Sequence, residues 1–393
     1  MFSKKITANL QKSSWIRAMF EEGEKLRKIY GDENIYDFSI GNPDLPPPLE
    51  VSLSLAKLAA STDSSIHRYM SNAGHSKVRM KIAEYINIKH GTAIPQENIV
   101  MTCGAAGALN VVLKSILDPG DEVIVFSPYF VEYLFYIDNH GGKPVVVPTM
   151  KDSFLPDFEA FSAAISEKTK GVIINSPNNP TGVIYNALVL DQIADILGQK
   201  EAKFGTSIYV ISDEPYDRIV YDGIKPPCTF NHIKNSIIVN SFSKSLALPG
   251  ERIGYIAVNS NMKDASELGA CLVFCNRTLG FVNAPSLFQL AVAEAIDSTV
   301  NVESYKERRD ILYSHLINTG FTCIKPEGAF YLFPEALIPD DVEFVKRAQK
   351  YNLLLVPGSG FGCPGHFRIS YCVNKKIIEN SLPAFSALAK EFR

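Results

Sequence analysis

Between residues 75 and 260 short apolar runs alternate with stretches of helical spacing. The runs of strand length are IVMT (99–102), EVIVF (122–126), PVVVP (144–148), GVIIN (171–175), IYVIS (208–212) and SIIVN (236–240). Continuous valine and isoleucine fits strands covered on both faces, and strands separated by helices predict βαβ units in a mostly parallel sheet. Upstream, Ile16, Met19, Phe20, Leu26 and Ile29 form an apolar stripe that predicts a helix over 11–30. The stretch SIGNPDLPPP (39–48) cannot be helical, because prolines and a glycine interrupt it, and it is expected to run as an extended connector. After residue 260 the pattern changes. Residues 283–318 predict long helices, then come the short strands GAFYLF (328–333), LLLVP (353–357) and FRISY (367–371) and closing helices. The expected fold class is α/β. A large domain over 48–288 carries the sheet with helices on its faces, and a smaller α+β domain joins 1–47 to 289–393.

Composition narrows the function classes. Of 393 residues, 46% are hydrophobic and 21% charged, enough to bury a sizeable core and unlike a disordered or disulfide-dense chain. Lys and Arg total 39 against 42 acidic residues, a net charge of −3, so nothing advertises a nucleic-acid or anionic-membrane surface. Seven cysteines without CxxC spacing read as reduced thiols of a cytoplasmic protein. Cys271 and Cys275 are four residues apart, but no histidine lies within ten residues of them, so no metal site is expected. The first residues lack the apolar core of a secretory signal, and no run of 18 apolar residues spans a membrane.

Candidate chemistry gathers at strand ends, where open α/β sheets bind ligands. The clusters are TCGAAGAL (102–109), NSPNNPTG (175–182), SDEPYD (212–217) and SFSKS (241–245). Each is ordinary alone. A lysine between serines is usually a solvated loop residue, and an aspartate before Pro215 is usually a cap. NNPTG is a natural turn, and a glycine between strand and helix is common. No GxGxxG opens a helix, and no GxxxxGK[ST], HExxH or GxSxG occurs.

In this order, from SIGNPD to FRIS, the motifs resemble those of the fold-type-I, pyridoxal-phosphate-dependent aminotransferases of class I/II, in particular the aspartate type. The resemblance implies pyridoxal 5′-phosphate as cofactor and Lys244 as the residue that carries it, since only a lysine amine at a dry site can attack an aldehyde and later shuttle protons near neutral pH. It implies that Asp213 holds the pyridine nitrogen protonated, so that the ring becomes an electron sink. Tyr216 and Asn179 would bond the cofactor's 3-oxygen. Gly104, Ala105 and Ala106 would cradle the phosphate at a helix start, with Ser241, Ser243 and Arg252 as further donors. Phe130 would stack on the ring, Tyr129 being the neighbour that takes its place if the register shifts by one. Arg368 would clamp the substrate α-carboxylate with a planar fork that lysine lacks, helped by the Gly41 backbone and by Asn179.

The resemblance further implies a homodimer with shared active sites, in which Tyr69 reaches the neighbouring subunit's phosphate. A dicarboxylate donor needs a second cation. Arg277, close to the place where aspartate enzymes present such an arginine from the partner subunit, is the candidate, with Arg17 and Arg218 as rivals. The reaction expected is transfer of an amino group from an L-amino acid such as aspartate to a 2-oxo acid such as 2-oxoglutarate, in a ping-pong cycle. An aminotransferase for aromatic or neutral amino acids and a C–S β-lyase remain alternatives of the same fold. A non-catalytic regulatory module that binds the cofactor is an alternative of another class.

Overall fold

The structure, a computed structural model, describes residues 2–12, 31 and 34–392. The expected helix over 11–30 lies outside the described residues, apart from the end of a helix at Lys4–Lys12. Twelve strands are present among the described residues: β1 (Tyr36–Asp37), β2 (Ile99–Thr102), β3 (Glu122–Ser127), β4 (Lys143–Pro148), β5 (Thr169–Asn175), β6 (Tyr209–Asp213), β7 (Ser236–Ser241), β8 (Gly254–Val258), β9 (Tyr331–Leu332), β10 (Leu353–Leu354), β11 (Val356–Pro357) and β12 (Phe367–Ser370).

Seven of them form one sheet in the order β2-β8-β7-β6-β5-β3-β4. Every strand but β8 runs the same way, and β8 opposes both its neighbours. The apolar runs build this sheet because alternate residues enter separate cores on its two faces. Val123, Val125, Ile173, Ile211 and Val239 pack under the helix Gly104–Ile116. Ile124, Phe126, Val172, Ile174 and Val210 pack on the other face against Val189, Leu190, Ile193 and Leu197 of the helix Ala187–Phe204. That helix starts where the Asn186 side chain accepts from the Val189 amide and stops at Gly205, in a left-handed conformation (φ 68°). Each fully buried valine or isoleucine contributes about 2 kcal/mol of transfer free energy, so the sheet is the stable base on which the strand-end loops are carried.

The C-terminal third builds a smaller body. An antiparallel sheet in the order β11-β12-β9 packs with the helices Val302–Asn318, Asp341–Ala348 and Lys375–Glu391. The runs GAFYLF and LLLVP yield strands of only two residues each, and the latter splits into β10 and β11. The N-terminal connector belongs to this body: β1 pairs with β10, and the Phe38 ring lies 5.9 Å from that of Phe385. Residues 284–296 instead pack with Val51, Val78, Ile82 and Ile86 beside the large sheet.

Cys271 is exposed and Cys275 buried, and both are free thiols. Among the described residues no three His, Cys, Asp or Glu side chains converge as a metal would need, and no helix is long and apolar enough to cross a membrane.

Candidate active site

The C-terminal ends of β2, β5, β6 and β7 lie on one rim of the sheet, because they run in parallel register. Beside them opens a cavity of about 310 Å³. Its walls bring together Gly41, Ala105, Ala106, Phe130, Asn179, Asp213, Tyr216, Ser241, Ser243, Lys244, Arg252 and Arg368. Residues scattered over 328 positions of sequence therefore share one space, which no single motif could have established.

Asp213 ends β6 and is buried. Its Oδ2 accepts a hydrogen bond from Tyr133 Oη at 2.5 Å, while Oδ1 is sealed from solvent without a partner. Burial pushes this carboxyl up to about 7, and the Tyr133 bond partly counters that. An unpaired carboxylate oxygen in an apolar wall is costly, so it marks the place of an absent cationic or protonated partner.

Lys244 sits in a single helical turn, Phe242–Ser245, directly after β7. Its amine donates to the Gly41 carbonyl at 2.6 Å. Burial, with the positive charges of Arg368 and Arg252, brings its pKa down to about 8. At pH 7 roughly a tenth of such amines are neutral, against a vanishing share at the usual lysine value, so the group is suited to attack and to carry protons.

Arg368, on β12, is 2% exposed. Its guanidinium lies between the rings of Tyr331 and Phe361, 4.7 Å from each centroid. Nη1 donates to Asn179 Oδ1 at 3.0 Å and Nη2 to the Ser39 carbonyl at 2.6 Å, while Nε is buried without a partner. The fork is thus fixed in orientation with a donor left over for an anion. Tyr216 Oη lies 2.8 Å from Tyr331 Oη. Gly41 has to be glycine here, because a Cβ would stand 2.0 Å from that Tyr331 oxygen.

At the other end of the cavity Gly104 opens the helix Gly104–Ile116 with φ +71°. A Cβ there would come within 2.7 Å of Arg252 Nη2, so backbone and guanidinium share a tight concave cradle. Arg252 itself holds a positive φ of 52° and is tied by Nη1 to the Pro249 carbonyl. Helix-start amides, an arginine and two serines make a donor set for a phosphate. Lys244, the unpaired Asp213 oxygen and this cradle together fit a phosphorylated pyridine aldehyde.

Phe130 lines the cavity, edge-on to Tyr133 at 5.5 Å. Tyr129 does not; it is packed against Gly362, with its amide donating to the Phe361 carbonyl. Tyr69 is 95% exposed and Arg277 lines a separate cleft with its guanidinium 5.4 Å over Phe274, so neither enters the cavity of its own chain. Arg218 is held by the carbonyls of Ile296 and Ser298 and stacks on Tyr85, away from the cavity. Arg17 lies outside the described residues. Sequence reading missed Tyr133, Tyr331 and Asn175, as well as the apolar lining of Ile40, Leu109 and Tyr136. For Tyr133 the one available signal was its place three residues after Phe130 in SPYFVEY.

The sequence profile of the family described as aminotransferase class I and II matches residues 33–385. The chain is 33% identical over 355 residues to the aspartate aminotransferase of Thermotoga maritima, covering 89% of this chain and 90% of that protein. In structure it is similar to an amino transferase from Eubacterium rectale, at a TM-score of 0.97 and 42% identity over the whole of both chains. It is also similar to the aspartate aminotransferase of Thermus thermophilus crystallised with maleate, at a TM-score of 0.87 and 28% identity over 99% of each.

Proposed function

Since the chain belongs to the class I and II aminotransferases, and is thus a transaminase that uses pyridoxal phosphate, we propose that it takes the amino group of aspartate or a similar L-amino acid and passes it to 2-oxoglutarate or a related 2-oxo acid in a ping-pong cycle. The observation that carries the residue assignment is the presence, in one cavity, of the Lys244 amine, the unpartnered Asp213 Oδ1 and the unpartnered Arg368 Nε. The relatives named aspartate aminotransferase, and the neighbour bound to the dicarboxylate maleate, support the substrate class.

When bound, the cofactor supplies an aldehyde that exchanges amines and a cationic ring that takes up the electron pair released at the substrate Cα. The chain's own residues do the rest. Asp213 Oδ1 keeps a proton on the ring nitrogen, and the Tyr133 bond to Oδ2 aims it. Gly104, Ala105 and Ala106, with Ser241, Ser243 and Arg252, hold the phosphate. Phe130 would pack against the ring, and Tyr216 and Asn179 would donate to the 3-oxygen. Arg368, Asn179 and the Gly41 backbone seat the substrate carboxylate, which fixes the Cα hydrogen toward Lys244. Lys244 Nζ holds the cofactor between turnovers. Once freed by the substrate amine, that nitrogen would take the Cα proton, and the Gly41 carbonyl would keep it within reach.

The assembly in this reading is a homodimer in the cytoplasm. Tyr69 and Arg277 would act across the subunit boundary. They belong to adjoining segments, since Asn283 donates to the Ser71 carbonyl and Asn276 to that of Asn72. The seven free cysteines fit a reducing compartment. A second reading, an aromatic or neutral donor, is favoured by the apolar wall of Ile40, Leu109 and Tyr136.

A panel of amino donors against 2-oxoglutarate tests both. Lys244→Ala should abolish turnover and the visible absorbance of attached cofactor. Arg277→Ala should weaken dicarboxylate donors and spare alanine and phenylalanine. Turnover retained in Lys244→Ala refutes the lysine's role. Equal losses for all donors remove Arg277, and release of pyruvate and ammonia from cystathionine without a 2-oxo acid would identify a lyase.

A further inference from the structure

Asp213 and the Asn179–Arg368 pair, all lining the cavity, are joined through one side chain that the motifs do not single out. Asn175 is the last residue of β5, directly opposite Asp213 in the β5–β6 register, and is 6% exposed. Its Nδ2 donates to the Asp213 main-chain carbonyl at 2.8 Å, and its Oδ1 accepts from the Asn179 amide at 2.7 Å. Asn179 in turn accepts from Arg368 Nη1, whose other terminal nitrogen is fixed on Ser39. A continuous line of hydrogen bonds thus runs from Tyr133 through Asp213, Asn175 and Asn179 to Arg368. The turn that carries Asn179 is closed internally, with Asn178 Oδ1 accepting from Thr181. That bracing shapes the turn but does not set its distance from β6. The Asn175 amide does, by acting as one more rung of the ladder beyond the point where main-chain pairing ends.

Resting on the transaminase reading above, we propose that Asn175 is a positioning residue. It sets the Asn179–Arg368 clamp at a fixed distance from the Asp213 strand end, so that one amino acid can reach the clamp with its α-carboxylate and the ring with its amine, a contribution to binding. The residue touches the part common to all amino acids, so its effect is blind to the substrate side chain. Both bonds are buried, where an unreplaced partner costs most.

The experiment uses the full-length holoenzyme. Asn175→Ala removes both bonds; Asn175→Asp keeps an oxygen to accept from the Asn179 amide but loses the donor to the Asp213 carbonyl. Two quantities are measured for each: KM and kcat over the donor panel, and calorimetric binding of the 2-methyl analogue of the best donor, which has no Cα hydrogen to lose. Asn175→Ala should raise KM for every donor, and the Kd of the analogue, by about tenfold, with kcat at saturation within about threefold of wild type. Asn175→Asp, which loses the donor to the Asp213 carbonyl, should raise both by about tenfold as well. A fall in melting temperature with KM and Kd unchanged would reduce Asn175 to a structural part and overturn the proposal. So would a loss confined to kcat, or one that varies with the donor side chain. If Asn175→Ala does not fold, Asn175→Asp decides: a Kd within about threefold of wild type, with the donor to the Asp213 carbonyl gone, overturns it. Failure of the transaminase reading would show separately, as a wild-type enzyme that transfers no amine.

Discussion

Removing the Tyr133 hydroxyl should change the charge state of Asp213 with little change in shape. Tyr133 is 2% exposed and meets Phe130 edge-on, contacts that phenylalanine keeps. What Tyr133→Phe deletes is the 2.5 Å bond to Oδ2, one that favours the ionised acid. A hydrogen bond to a charged group contributes about 1.5–3 kcal/mol. At 1.36 kcal/mol per pKa unit this is a rise of roughly one to two units. Asp213, already pushed up to about 7 by burial, would move to roughly 8–9. At pH 7.5 the ionised share would drop from roughly three quarters to roughly a tenth. In the proposed function the cofactor's ring nitrogen pairs with the ionised form, so cofactor affinity at pH 7.5 should fall by about five- to tenfold. The assay is quenching of protein fluorescence by added pyridoxal phosphate across pH 6 to 9.5. It is best done in a Lys244→Ala background, because the lysine's own titration near 8 falls in the same window. The midpoint of the affinity profile should shift upward by one to two units relative to the Lys244→Ala parent. A midpoint that stays within about 0.3 unit would refute the claim that Tyr133 sets the charge of the acid.

Gly41→Ala should raise KM for every donor, because the new Cβ would stand 2.0 Å from Tyr331 Oη; overpacking of this kind costs about 1–3 kcal/mol. Adding Tyr331→Phe removes the nearest atom and should restore part of the loss in steady-state kinetics; no recovery would place the fault elsewhere. Stability of the cofactor-free chain should carry a pH signature from Asp213 and Glu214, both raised to about 7 by burial. Between pH 4 and 7 the folded state holds protons that the unfolded carboxyls have released, so these two groups make stability fall as pH rises, by up to about 1.4 kcal/mol per unit each. Asp213→Asn should therefore gain on wild type in denaturant unfolding at pH 7.5 and match it near pH 4; an equal gap at both values would contradict the assignment.

The parallel sheet was legible because strands buried on both faces must be written in long valine and isoleucine runs. β8 was not, since Gly254 and Tyr255 sit inside a stretch that reads as motif, and its reversed direction leaves no mark on composition. The strands after 330 were overestimated in length, because buried aromatic residues such as Phe330 and Phe333 look alike in a strand and in the irregular chain beside it. Lys244, Asp213, Asn179, Arg252 and Arg368 could be named from local motifs, and the fold gathers them around one cavity. Tyr133, Tyr331 and Asn175 could not, because each acts on a residue distant in sequence, and a single tyrosine or asparagine at a strand or helix end has many ordinary explanations.

The reversed strand also bears on how this enzyme can be re-engineered. Because β8 runs against β7, with Gly254 opposite Ser241, the chain leaves Lys244 and returns to the same rim without crossing the sheet. Residues 245–251 are in effect a tether of set length between Lys244 and Arg252. Lengthening it, or cutting new termini into it, would let the two ends drift apart. Permutation points and inserted tags belong on the far rim, for instance at Gly205, which has open space around its Cα and joins a helix to the start of β6.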